Sequence, residues 1–143
     1  MADRLFYILI PRFNMFSLVN LMEPARIANY LSPADVYQES FIGFDGETIF
    51  SSNAMSVQCE AAPERLRRGD LVFIVGSWGA EHYANKQMFS WLRRQARNGA
   101  RLCAVEMGSY ILARAGLLAG RTAPTHWSYL AGFQEQFPDV DVK

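Results

Sequence analysis

The chain has 143 residues, half of them apolar and a fifth charged, which fits one globular domain rather than two. Its 14 basic residues balance its 14 acidic ones, which excludes a whole-domain basic footprint for nucleic acid and an acidic disordered tail. No apolar run approaches about 18 residues, so no membrane-spanning helix is expected.

Leu5–Ile10 is a continuous apolar run and reads as a strand buried on both faces, ended by Pro11. Ser17 is expected to cap a helix running to Leu31, with Leu18, Leu21, Met22, Ala25, Ile27, Ala28 and Leu31 as its apolar face and Pro24 placed to kink it. After a turn at Ser32–Asp35, Val36–Phe44 reads as a second strand, and Asp45-Gly46 as a tight turn into a hairpin partner. A short helix is expected over Pro63–Arg68.

Leu71–Val75 is the clearest strand, and it ends in Gly76-Ser77-Trp78-Gly79. Small residues at the C-terminal end of a parallel strand are where ligands approach an open α/β sheet. Ala84–Asn98 has helical period: Met88, Trp91, Leu92 and Ala96 face inward, and Arg93, Arg94 and Arg97 form a solvated face. Gly99 suits the residue after its end. Arg101–Val105 reads as another buried strand, Met107–Ala115 as a helix ended by Gly116, and Trp127–Phe137 as a last helix closed by Pro138. Alternating strands and helices specify an α/β layered sheet. Cys59 and Cys103 form neither a disulfide framework nor a metal pair. Cys103 reads as a small buried residue and Cys59 as a candidate free thiol.

The most informative stretch is Leu102-Cys103-Ala104-Val105-Glu106-Met107-Gly108-Ser109. A strand passes into a helix almost without a loop, and Gly108 allows a close approach just after the turn. Such an elbow presents one side chain, here Glu106, at the C-terminal edge of the sheet.

From Gly108 the chain reads Gly-Ser-Tyr-Ile-Leu-Ala-Arg-Ala-Gly-Leu-Leu-Ala-Gly-Arg to Arg121, followed by Thr125-His126-Trp127. This resembles the PfpI-type branch of the class I glutamine-amidotransferase-like superfamily, and more narrowly the sensor domain of GlxA-like AraC-family transcription regulators. Pro11-Arg12-Phe13 and a helix carrying Glu23 and Ala25-Arg26-Ile27-Ala28-Asn29 agree, so the resemblance extends from about Leu5 to Val140. It implies a flavodoxin-like three-layer sandwich with a mostly parallel sheet. It also implies a domain spanning residues 1–143 that ends one strand and one helix early, with the DNA-binding helix-turn-helix part C-terminal to it and absent from these residues.

The same resemblance exposes departures. The superfamily's enzymes carry a cysteine two residues before the elbow glycine. That position is Glu106, and Cys103 lies three residues too early. The acidic residue that supports the cysteine falls on Ser17, and a Gly-Gly pair becomes Gly76-Ser77. Of the catalytic set only His126 remains. The expectation is therefore a non-catalytic domain without cofactor or metal. A superfamily enzyme (hydratase, amidase or glyoxalase-like) and a ligand-free interaction module are the alternatives.

Glu106 at a helix N-terminus is favoured as an anion, typically by about 0.3–1 kcal/mol. With Trp78 and Trp127 as aromatic faces it suits an ammonium group. The Ser77 and Met107 backbone N–H groups suit a ligand carboxylate. The expected effector is a small amine, a betaine or an amino-acid-like zwitterion. Plainer readings stand beside this one. Glu106 caps its helix or accepts from Ser17, His126 is a hydrogen-bonded structural residue, Trp127 is core, and Glu23 pairs with Arg26. A homodimer in the cytoplasm, with DNA reached only through the missing part and no membrane contact, completes the expectation.

Overall fold

The computed structural model describes residues 1–143. Strands β1 (Asp3–Leu9), β2 (Tyr37–Ile42), β5 (Leu71–Gly76) and β6 (Arg101–Glu106) form a parallel four-stranded sheet in the order β2-β1-β5-β6. Alternate residues of β1 serve opposite faces, as the two-residue period of a strand requires. Leu5, Tyr7 and Leu9 join Phe13, Leu18, Ala25 and Val75 on the side of helix α1 (Met15–Leu31). Phe6, Ile8 and Ile10 join Val72, Ile74, Met88, Leu92 and Ile111 on the side of α2 (Lys86–Arg97) and α3 (Gly108–Arg114). Both faces of β1 are buried, which is why its sequence is a continuous apolar run. The expected α/β layering around a parallel sheet is present.

Several local expectations are corrected. Helix α1 starts at Met15, and its cap is Asn14, whose side chain accepts from the Ser17 N–H at 3.2 Å. Ser17 thus sits inside the first turn with its hydroxyl free to bond elsewhere. Only Leu18 and Ala25 of the expected apolar face are fully buried, and Ile27 and Leu31 are exposed.

The turn at Asp45-Gly46 does lead to a short strand, β3 (Thr48–Phe50), but β3 pairs with β4 (Ser56–Gln58) and not with β2. Pro63–Arg68 forms no helix. The buried Gln95 side chain takes its backbone groups instead, accepting from the Leu66 N–H at 2.8 Å and donating to the Glu64 carbonyl at 3.0 Å. Strand β6 is half-buried rather than buried, because it is the outermost strand of this sheet. Arg93 is not simply solvated: it is partly buried and donates to the Ala115 carbonyl at 3.3 Å.

Helix α2 begins two residues later than expected, behind an Asn85 cap, and Gly99 follows it at φ 91°. The last expected helix divides into a 3-10 turn (Trp127–Tyr129) and α4 (Leu130–Gln136). Phe133 of α4 and Phe137 beyond it pack on Tyr110 at centroid separations of 4.8 and 5.9 Å. Two short strands, β7 (Thr122–Ala123) and β8 (Asp141–Val142), pair in parallel beside them.

Candidate functional site at the strand-to-helix elbow

The elbow is built as its sequence suggests. β6 runs in register with β5 until Glu106 lies opposite Gly76, and α3 begins at Gly108. Glu106 itself carries the turn at φ 55°, in the left-handed region that costs a residue with a Cβ. The turn closes tightly because of the glycine that follows. A Cβ on Gly108 would stand 2.1 Å from the Ile74 carbonyl oxygen, so α3 starts in direct contact with the β5 backbone. Gly76 allows the same approach from the other side, where its Cβ would lie 3.2 Å from the Gly108 nitrogen. These two glycines, one ending β5 and one opening α3, let Glu106 be presented at the sheet edge with an exposed side chain.

Ser17 meets it there. The Ser17 hydroxyl donates to Glu106 Oε1 at 2.9 Å across 89 residues of sequence. The Asn14 cap fixes the turn of α1 from which Ser17 reaches. This bond is the one polar contact that the Glu106 side chain makes, and Oε2 is left without a protein partner.

The other expected residues are placed as follows. Trp78 and Trp127 are 68% and 82% exposed, so Trp127 is not core. Ser77 is half-buried, and its carbonyl accepts from the Ala80 N–H at 3.1 Å. The Met107 side chain is buried in the main core, which leaves only its backbone available to a ligand. His126 is engaged locally: Nδ1 accepts from the Ser128 N–H at 3.3 Å and lies 2.6 Å from the Ser128 hydroxyl, capping the 3-10 turn, while the ring stacks on Trp127. No hydrogen bond joins it to Glu106. Glu23 is ion-paired with Arg26 at 2.6 Å, and that guanidinium holds its carboxyl below the usual range. Its hydrogen bonds go to Arg26, and Ser17 is the α1 side chain bonded to Glu106.

Neither thiol stands at the tip of the elbow, which Glu106 occupies. Burial pushes both Cys59 and Cys103 up from their ordinary value, away from the thiolate a nucleophile needs. A cavity of about 380 Å³ lies beside β6 between Leu102, Leu112, Leu117 and Leu118. Four further cavities of about 210 to 330 Å³ are likewise lined by residues other than Glu106, Ser17 and His126.

Sequence reasoning missed Arg12. It lies just past β1, where Ile10 bonds to Val75, and it holds φ 67° with an exposed side chain that makes no ion pair. Its signal was the Pro-Arg-Phe step after an apolar strand, since a chain that must turn sharply there strains the residue between. Two buried hydroxyls, Ser109 and Thr125, also lack partners.

Comparison with known proteins places this geometry. The chain is 37% identical over 142 residues to the HTH-type transcriptional regulator CdhR of Pseudomonas aeruginosa, covering 99% of this chain and 42% of that protein. It is 36% identical over 134 residues to the HTH-type transcriptional regulator GbdR of the same species, covering 94% of this chain and 36% of that protein. It therefore spans less than half the length of these curated relatives. A crystal structure of an AraC family transcriptional regulator from Pseudomonas putida superposes with a TM-score of 0.84 at 23% identity, over 99% of this chain and 76% of that one. Residues 7–139 match the DJ-1/PfpI family, and the chain belongs to it.

Proposed function

We propose that this domain is the non-catalytic, ligand-sensing part of an AraC-type transcription regulator. In this reading it binds a small amine, betaine or amino-acid-like effector, dimerises in the cytoplasm, and reaches DNA through a separate helix-turn-helix part. The observation that carries the reading is the chemistry of the elbow. The side chain presented there is a carboxylate bonded to a serine hydroxyl, and no thiolate accompanies it. His126 is hydrogen-bonded to Ser128 and not to Glu106, so the elbow holds no histidine-paired nucleophile. The similarity to named transcriptional regulators supports the same view.

Glu106 Oε2 is the acceptor for the effector's ammonium group. The exposed Trp78 and Trp127 rings offer faces worth about 0.5–1 kcal/mol each to a cation in water. Ser17 orients the carboxylate, and the Ser77 and Met107 backbone N–H groups receive an anionic end of the ligand.

The exposure of the Glu106 side chain favours a second reading, a domain that only interacts with other protein. Calorimetry separates the two. Titration with trimethylammonium carboxylates, amino acids and simple amines is expected to give binding that Glu106→Gln abolishes without lowering thermal stability. No heat from any of these ligands with folded protein overturns the sensing reading in favour of the interaction module. Hydrolysis of small amides by the unmodified chain overturns the non-catalytic assignment.

A further inference from the structure

Charge balances over the sequence but not over the surface. At the sheet edge opposite the elbow, β5 and β6 begin side by side at Leu71 and Arg101, and two loops lock together beneath them. The Gly69 N–H donates to the Gly99 carbonyl at 3.0 Å, and the Arg101 N–H to the Asp70 carbonyl at 2.8 Å. Gly99 is so close to the neighbouring loop that a Cβ there would stand 2.9 Å from Arg68 Cγ. This docking gathers Arg67 and Arg68 from the loop before β5, Arg97 from the last turn of α2, and Arg101 from the start of β6. All four are exposed, and none is paired with a carboxylate.

The acids nearby do not neutralise them. Asp70 is buried and already taken by the Arg4 guanidinium and the Arg67 N–H. Asp3 is exposed on β1 but makes no ion pair. Compensation of the α2 dipole accounts for Arg97 alone. It does not account for three further arginines contributed by other segments.

What surrounds the four narrows the partner. A protein interface places an apolar, aromatic centre inside a polar rim. Here Met1 is the one exposed large apolar side chain in contact, through Arg67. The others lie on α1 and the loop after it, on the β3–β4 hairpin, at Trp78 after β5, and at Trp127 and Leu130. Guanidinium groups without apolar filling fit a repeating array of phosphates, to which their planar forks bind bidentately.

We propose that this edge is a contact surface for the phosphodiester backbone of duplex DNA, independent of base sequence. It lies away from Glu106 and does not depend on the effector reading. The test is fluorescence anisotropy of the 143-residue chain with a labelled duplex across about 20–200 mM NaCl, where affinity falls steeply with salt. Four phosphate contacts predict a slope of log K against log salt of about −3 to −4. Arg68→Gln and Arg101→Gln should each reduce its magnitude by about 1, Arg26→Gln should leave it unchanged, and two unrelated duplexes should behave alike. Circular dichroism melting confirms that each variant is folded. No binding at the lowest salt, a slope unchanged when all four arginines are glutamine, or equally tight binding of polyglutamate would each overturn the proposal, the last in favour of an acidic protein partner.

Discussion

Gly108→Ala is the most direct test of the elbow. The added Cβ would stand 2.1 Å from the Ile74 carbonyl oxygen and 3.1 Å from its carbonyl carbon. Both are backbone atoms of a central strand, so no rotamer change relieves the overlap, and either α3 or β5 must shift. Overpacking of this kind costs about 1–3 kcal/mol and occasionally more. The helix propensity gained by alanine over glycine returns about 1 kcal/mol at most. The overlap is severe enough to place the cost at the upper end, for a net loss of about 2 kcal/mol. For a domain of this size that lowers Tm by about 4–8 °C. Gly132→Ala is the internal control. It lies in α4, where the nearest atom to an added Cβ is Tyr110 Oη at 3.8 Å, an ordinary contact. It should stabilise the domain by about 0.4–1 kcal/mol. Urea denaturation with a common slope reads both differences. If Gly108→Ala is as stable as the parent chain, or matches Gly132→Ala, the tight strand-to-helix junction derived above is wrong.

Gln95→Leu should cost about 2–4 kcal/mol by urea denaturation, because it strands the buried Leu66 N–H and Glu64 carbonyl that the amide now satisfies. Tyr7 and Tyr83 are both held above the ordinary tyrosine value, by burial first and then by the carboxylates of Glu39 and Asp45 that accept from their hydroxyls. A raised folded value means that this stability is fully present below about pH 10, where unfolded tyrosine titrates, and is lost as pH rises beyond it. Stability measured from pH 8 to 12 should therefore fall on the alkaline side, and Tyr7→Phe should flatten that limb. An unchanged limb in the variant refutes the assignment.

The legible parts of this protein share one property. The runs of β1 and β5, the period of α2 and Gly108 after Glu106 are each signalled within a few residues, because burial on a sheet or helix has a fixed period. Pro63–Arg68 failed that reading. Its composition suits a helix, but Gln95, 29 residues beyond Leu66, supplies the hydrogen bonds that its backbone would otherwise make within a helix. Ile27 and Leu31 failed for another reason: the 3.6-residue period puts them on the face of α1 opposite Leu18 and Ala25, while Asn29, on the buried side, donates to the Tyr37 carbonyl of β2. At the site, the exposed Trp78 stood where its glycine-flanked loop suggested. Glu23 and His126 did not join Glu106, since Arg26 and Ser128 lie within three residues of them and satisfy them first.

The sequence by itself determined the alternation of strands and helices, the position of the elbow, the lack of a cysteine at its tip and the DJ-1/PfpI membership. Tertiary structure alone decided that Ser17 bonds to Glu106, that β6 is an edge of the sheet, and that arginines from three segments converge at the opposite edge. The physical reason is the same in each case. Local pattern records which side of an element is buried, whereas the partner of an exposed polar group depends on how the elements pack against each other, and side chains far apart in sequence carry no shared period to reveal it.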